Sequence, residues 1–343
     1  MSHNPYYYYQ GDGSTIGKRG KQLPSVGTDS TKDDPRDYLA SDGLRNAVNV
    51  ALMLGQPLLV TGEPGTGKTQ LARSIAFELE LAEPLTFHTK TTSTAKDLFY
   101  RYDALRHFHE SSLARKTEEA LPPAENYITY EPLGLAILLS LRPTDEKRAK
   151  VNGHLPKDLQ ERGPERSVVL IDEIDKAPRD LPNDVLHEIE NLSFEIKETG
   201  DDFSANKEYR PILVLTSNSE KNLPDAFLRR CVFYHIPFPG PTELKDIVTR
   251  RLKLNDQSAF TPAMVNHAIE HFVEIREQPL KKKPATAELL AWIRVLEKLG
   301  LDVKDPALTK EERIALAFTY SILAKNREDK ELLDKTVIHT PQG

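Results

Sequence analysis

Between Gly62 and Thr69 the chain reads GEPGTGKT: a glycine, four residues, then glycine, lysine and threonine. The glycines let the backbone curl so that several N–H groups face one anion at the start of a helix, whose N-terminus already favours negative charge. In a G-x-x-x-x-G-K-[ST] loop of this kind the lysine, Lys68, reaches the β- and γ-phosphates of a nucleoside triphosphate, and the Thr69 hydroxyl turns to Mg²⁺. The candidate phosphate cradle is therefore Gly62, Glu63, Pro64, Gly65, Thr66, Gly67, Lys68, Thr69 and Gln70. About 100 residues later SVVLIDEIDKAP delivers Asp172 and Glu173 at the end of an apolar run. Hydrolysing a γ-phosphate needs a metal to neutralise charge and a group to position the attacking water. Asp172 is the candidate for orienting Mg²⁺ and Glu173 for the water. An acid pair alone is a common solvated feature. Behind a phosphate cradle it reads as half of a hydrolytic site.

These residues need a sheet edge to hold them. Pro57 to Val60 is a short apolar run before the glycines, and Lys68 onward reads as a helix. Val168 to Ile171 shows no alternation, the mark of a strand buried on both faces of a parallel sheet, whose carboxyl end is where such sheets place ligands. PILVLTSN, Pro211 to Asn218, repeats the pattern, and Pro84 to His88 reads as another strand. NLPDAFLRRCVFYHIPFP predicts a short helix with Arg229 and Arg230 at its end, then a last strand. Tyr38 to Leu54 has helical spacing and stops at Gly55, while LPNDVLHEIENLSFEI reads as one amphipathic helix with Leu186, Ile189 and Glu190 one turn apart. Thr89 to about Pro164 mixes helical pieces, TAKDLFYRYDALRHFHESSLARKTEEA and GLAILLSLRP, with a polar stretch. That span exceeds what a strand–helix–strand unit needs, so an insertion near 98–165 is expected.

The 343 residues suit one large or two ordinary domains. A net charge of −6 gives no support to a partner held mainly through nucleic-acid phosphates. One cysteine, Cys231, excludes an intrachain disulfide framework and a thiolate cluster within one chain. There is no run of 18 apolar residues and no basic-then-apolar leader, which points to a cytoplasmic protein. Residues 1–33 are rich in Gly, Ser, Thr and charge and are expected to be flexible, with Tyr6 to Tyr9 either a docking peptide or a plain tail. After Pro239-Gly240-Pro241 no β-rich run remains, and four helical stretches follow. The expected organisation is a nucleotide domain over 34–240 and a helical domain over 241–343.

Taken together these motifs resemble the AAA+ ATPases, and within them the MoxR family, over roughly Asp37 to Trp292. GEPGTGKT stands as Walker A, VVLIDEID as Walker B, LTSN as sensor 1, and LPDAFLRRC where the family has its arginine-finger segment. The resemblance implies an α/β fold: a P-loop αβα sandwich with a parallel sheet, followed by a small helical lid domain. It makes Asn218 the sensor 1 residue that contacts the γ-phosphate or its water, and Arg230 the finger that reaches a neighbouring subunit, beside Arg229. It places Asp37, Tyr38 and Leu39 where the chain passes the adenine, with Tyr38 the binding candidate. The family's sensor 2 arginine is absent: KKKPATAELLAW puts Ala287 near its place, with Lys281, Lys282 or Lys283 as substitutes. The family's inserts between Walker A and Walker B act on substrate or partner.

The same resemblance implies ATP and Mg²⁺ as ligands and a homo-oligomeric ring, a hexamer, acting like a chaperone. It also implies a partner with a von Willebrand factor A domain and a protein client to be assembled, activated or remodelled. A slow nucleotide-dependent switch or scaffold is the alternative, which the intact Glu173 argues against, and a nucleic-acid motor is disfavoured by the acidic balance. His107 and His109, two apart on a helix, point to different faces and do not suggest a metal site. Cys231 reads as a buried structural cysteine, and Trp292, with Leu289, Leu290, Ile293 and Leu296, as lid core.

Overall fold

Five of the apolar runs become one parallel sheet. The computed structural model describes residues 34–117, 120–218, 223–252 and 260–338, and the 1–33 segment with its tyrosines lies outside them. The strands are β1 (Leu58–Gly62), β2 (Leu85–His88), β3 (Tyr100–Tyr102), β4 (Ile128–Tyr130), β5 (Val168–Asp172), β6 (Ser193–Ile196), β7 (Asp201–Ser204), β8 (Ile212–Ser217) and β9 (Val232–Ile236). The central sheet has the order β2-β5-β8-β1-β9, every pairing parallel. The phosphate loop leaves the carboxyl end of β1, and Asp172 closes β5. β5 is separated from β1 only by β8, so the two acids and the cradle share one sheet edge.

The helices of this unit are α1 (Asp42–Leu54), α2 (Lys68–Glu78), α3 (Ala104–Thr117), α4 (Pro132–Leu139), α5 (Glu146–Asn152), α6 (Lys157–Gln160), α7 (Leu181–Asp184), α8 (Leu186–Asn191) and α9 (Asp225–Leu228). Alternate strand residues separate the two faces. Leu58 and Val60 pack with Leu44 and Ala51 of α1 and Leu71, Ala72 and Ile75 of α2. Leu59, Val169 and Leu215 pack on the opposite face with Leu133 and Ile137 of α4, Leu181 of α7 and Ile189 of α8. The result is an αβα sandwich, with a core on each side of the sheet. The helix expected from Tyr38 starts at Asp42, because the Ser41 hydroxyl accepts the Leu44 N–H as its N-cap, and Gly55 stops it in the left-handed region at φ 61°.

LPNDVLHEIENLSFEI is not one helix: it breaks at Val185, ends at Leu192 with φ 48°, and turns into β6, which pairs antiparallel with β7. The hairpin's apolar side is aromatic, with Phe194 stacked on Phe203 and on Phe99 at 5.3 Å between ring centres in each case. The stretch from Thr94 likewise holds β3 between a 3-10 turn and α3, paired antiparallel with β4. Within 98–165, α4 is largely embedded, with Leu133, Ala136, Ile137 and Leu138 all at 0% exposure, so this part of the span belongs to the core.

The chain divides into two compact units, Tyr38–Phe238 and a second that joins the described residues up to Asp37 to those from Pro239 on. The second unit contains no strand among the described residues. It has α10 (Pro241–Leu252), α11 (Pro262–Glu277), α12 (Thr286–Leu299), α13 (Lys310–Thr319) and α14 (Arg327–Ile338). α14 is a fifth helix beyond the four expected, and Asp329, in its first turn, accepts the Asn326 side-chain amide at 2.6 Å. Trp292 is fully buried and donates from its indole to Thr319 Oγ1 at 2.7 Å.

Candidate functional site

Gly67 stands at the N-cap of α2 with φ 87°, and Gly65 has φ 76°, backbone values that non-glycine residues seldom adopt. Between them Thr66 folds its hydroxyl back to the Glu63 carbonyl at 2.9 Å. These turns bring the loop round so that Lys68 donates from Nζ to the carbonyls of Gly62 at 2.8 Å and Glu63 at 2.9 Å. The lysine is only 7% exposed. Burial holds its pKa below the ordinary lysine value, while Asp172, Asp175 and Glu173 nearby pull the other way. A buried ammonium is tolerable only with such partners. Tyr38 lies against the same turn: a Cβ added to Gly67 would stand 3.2 Å from the Tyr38 ring.

The two motifs meet at one carboxylate. Thr69, the second residue of α2, donates its hydroxyl to Asp172 Oδ1 at 3.1 Å. Thr216 on the intervening strand β8 donates to the same oxygen at 2.6 Å and accepts the Glu173 N–H at 2.9 Å. His88, at the end of β2, stands 3.5 Å from Asp172 Oδ2. Glu173 has φ 57° and ψ 50°, a left-handed backbone that is uncommon for a glutamate and turns the chain sharply off the strand. Its carboxylate forms an ion pair with Lys176 and is 3.4 Å from the Asn218 side-chain amide, whose backbone N–H reaches Asp175 Oδ1 at 3.3 Å.

So Lys68, Thr69, Asp172, Glu173 and Asn218 are brought together at one sheet edge, with Tyr38 packed on the loop. The oxygen donors suit a hard divalent cation, since Thr69 hydroxyl and Asp172 carboxylate already share a hydrogen bond and Mg²⁺ prefers such ligands. The cradle suits a triphosphate, because Lys68 and the glycine turns are aligned at the start of α2. Thr216, Lys176 and Asp175 were not singled out from the sequence. Thr216 precedes Asn218 by two in LTSN, and its position opposite Asp172 follows only from the β5–β8 register, which pairs Ile171 with Leu215.

Arg230 is not brought to this edge. It follows α9 just before β9, where the Val232 N–H donates to the Pro57 carbonyl at 2.8 Å, at the opening end of β1. The run of β1 to Gly62 spans about 13 Å, so Arg230 and the phosphate loop lie at opposite ends of the sheet. Arg229, Arg230 and Cys231 line a cavity of about 330 Å³ with Leu186, Glu190 and Arg210. Cys231 is half-buried there instead of sealed in the core, and burial pushes its thiol pKa up to about 12.

The remaining candidates lie elsewhere. His107 is held by Tyr102, by the Pro122 carbonyl at 3.0 Å and by stacking on Tyr127, a structural histidine. No group of three or more metal-ligating side chains occurs among the described residues. Ala287 sits in the first turn of α12. Lys281 Nζ is 3.2 Å from Glu328, and the backbone N–H groups of Lys281 and Lys282 donate to Asp329 at 2.9 and 3.1 Å. No helix among the described residues is long and apolar enough to cross a membrane.

Residues 57–231 match the AAA domain family, dynein-related subfamily. Among solved structures, a point mutant of Thermotoga maritima RuvB aligns at 17% identity with a TM-score of 0.42, over 84% of this chain and 72% of that one. No characterised protein matches by sequence.

Proposed function

The chain belongs to the AAA domain family, dynein-related subfamily, and from that premise we propose that it is a MoxR-type ring ATPase that remodels or activates a partner protein complex. The observation that carries this reading is the shared carboxylate: Asp172 accepts from Thr69 of the phosphate loop and from Thr216, which in turn holds the Glu173 N–H. The start of α2 and the strands β5 and β8 thus tie the phosphate cradle to the candidate water-activating acid.

In this reading the loop from Gly62 to Gln70 cradles the phosphates of ATP, Lys68 neutralises their charge, and Tyr38 borders the nucleotide beside Gly67. Thr69 and Asp172 would hold Mg²⁺, which when bound supplies charge neutralisation on phosphate oxygens. Glu173 accepts a proton from the attacking water, and Asn218, beside its carboxylate, orients that water. Lys176 competes for the same carboxylate, so its ion pair opens as Glu173 takes up that task. Arg230, at the other end of the sheet, serves the site of the next copy, a contribution of about 10³ to 10⁵ in rate where such a finger operates. The ring in this reading is a hexamer.

The domain roles follow the same reading: 34–240 binds and hydrolyses nucleotide, and 241–343 acts as a lid. The outer part of 98–165 faces a von Willebrand factor A partner or client. Exposed Leu105 and Phe108 on α3 support that last assignment. The test is Mg²⁺-dependent ATP hydrolysis by the parent and by Glu173→Gln. The variant should bind ATP and assemble but lose turnover; hydrolysis at the parent rate would remove Glu173 from the role.

A further inference from the structure

Arg230 does not project freely from the sheet's lower end. Its Nε donates to Glu190 Oε2 at 3.2 Å and its Nη1 to the Ala226 carbonyl of its own helix at 2.9 Å. The Nη2 group has no partner among the described residues. Glu190 is in the last turn of α8, and its backbone carbonyl accepts Arg210 Nη2 at 2.9 Å. Arg210 Nε donates to the Gly55 carbonyl, the C-cap of α1, at 3.1 Å. Arg210 therefore ties the end of α8 to the end of α1, next to Pro57 where β1 begins.

Arg210 is partly buried, and burial lowers its pKa. Among the described residues its bonds are to carbonyls and not to a carboxylate, so they fix backbone positions. The Arg230–Glu190 pair, with side chains 43% and 60% exposed, adds little to stability, as exposed ion pairs generally do. What the pair does is restrict orientation. A guanidinium is a planar fork, so fixing Nε and Nη1 fixes the direction of Nη2. Leu186, Ile189 and Phe227 line the same cavity as Arg230 and belong to, or pack against, the core on that face of the sheet.

We propose that Glu190 and Arg210 are positioning residues for Arg230: Arg210 fixes the backbone of Glu190, and the Glu190 carboxylate aims the Arg230 fork at an anion presented by a second copy of this chain. The proposal rests on the reading that Arg230 acts in a neighbouring site. Preorganised donors gain their advantage by needing no reorganisation when charge develops. Loss of Glu190 thus lowers turnover without touching the cradle that binds ATP.

The experiment compares steady-state ATP hydrolysis by Glu190→Ala, Glu190→Gln, Arg210→Ala and Arg230→Ala, each alone and mixed with Lys68→Ala chains, in the full-length protein. Glu190→Ala should lower kcat about 5- to 10-fold with KM for ATP within about twofold, since an aligned hydrogen bond in the transition state carries roughly that factor. Glu190→Gln keeps an acceptor oxygen and should recover most of the rate. Mixing Glu190→Ala with Lys68→Ala should raise activity above either alone, because the Lys68→Ala chain offers an intact Arg210–Glu190–Arg230 set to an intact cradle. A defect of folding or of the variant's own site would show no such rescue. If Arg230→Ala loses turnover while Glu190→Ala and Arg210→Ala keep the parent kcat, the positioning role is wrong and the action of Arg230 on its neighbour stands. If Arg230→Ala itself keeps the parent kcat, both fall. Arg210→Ala is the variant most prone to misfold, and Glu190→Ala, at an exposed side chain, decides the matter without it.

Discussion

The Thr69 hydroxyl donates to Asp172 Oδ1 at 3.1 Å across a sequence separation of 103 residues. Thr216 of β8 donates to the same carboxylate oxygen at 2.6 Å, so Asp172 is shared between the start of α2 and the neighbouring strand. The phosphate loop and the acidic strand end are therefore coupled through one carboxylate oxygen.

Thr216→Val tests that coupling. Thr216 is fully buried and its hydroxyl both donates to Asp172 and accepts from the Glu173 N–H. Valine keeps the shape but leaves the Glu173 N–H without its acceptor, a loss of about 1–3 kcal/mol. We expect a lower melting temperature and a fall in kcat of tenfold or more, with Thr216→Ser restoring most of both. Thermal melts and steady-state hydrolysis on the three proteins check it; parent-like kcat in Thr216→Val would separate Glu173 placement from turnover.

Gly67→Ala addresses the cradle. At φ 87° a Cβ is strained, by about 1–2 kcal/mol, and it would meet the Tyr38 ring at 3.2 Å. Either the turn relaxes or Tyr38 moves, and both alter the loop from which Lys68 starts. Calorimetric titration with a slowly hydrolysed ATP analogue should show affinity reduced at least tenfold. Tyr38→Ala combined with Gly67→Ala removes the ring contact but not the strained φ, so only part of the affinity should return.

Much of this edge was legible in the sequence because parallel buried strands announce themselves as unbroken apolar runs, and GEPGTGKT and DEID sit directly at their ends. Thr216 was not, since a threonine inside an apolar strand gives no sign of which neighbour it faces until register is fixed. The three- and four-residue strands around Phe194 and Tyr100 were also hidden. They are too short to display a period of two, and their apolar residues fit a helical spacing equally well. Arg230 stands out in the sequence only by its place in LPDAFLRRC, and the Glu190 carboxylate that holds it lies 40 residues earlier, on the far side of a hairpin.

Cys231 offers a chemical check of the lower end of the sheet. Burial raises its pKa to about 12, against about 8.5 for a free thiol. Folding favours the protonated thiol, so this contribution to stability is complete below about pH 8.5 and is lost as pH rises toward 12. At pH 8 the thiolate fraction is lower than in a free cysteine by a factor of order 10³. Alkylation by iodoacetamide should be correspondingly slow in the native protein and rise about tenfold per pH unit up to pH 10. Rapid labelling at pH 8 would mean that the cavity wall opens on that timescale.

Asp329→Asn bears on the helical unit. The Asp329 side chain lies in a nearly solvent-free position, at 2% exposure, and accepts from the backbone N–H groups of both Lys281 and Lys282 and from Asn326. Burial alone would raise its pKa, but the two backbone N–H groups and the Asn326 amide outweigh it, and the carboxyl is held below its ordinary value. A depressed carboxyl pKa gives stability that is present above the unfolded value, about 3.9, and is lost as pH falls through the folded value. Asparagine keeps one acceptor oxygen but turns an N–H₂ toward a backbone donor, so the loop before α12 loses one tie to α14. The variant should melt below the parent at pH 7, with the gap narrowing as pH falls below about 4. Melting curves at pH 7, 5 and 3.5 measure that gap. A gap independent of pH would mean that packing around the side chain, and not its charge, anchors the lysine-rich loop.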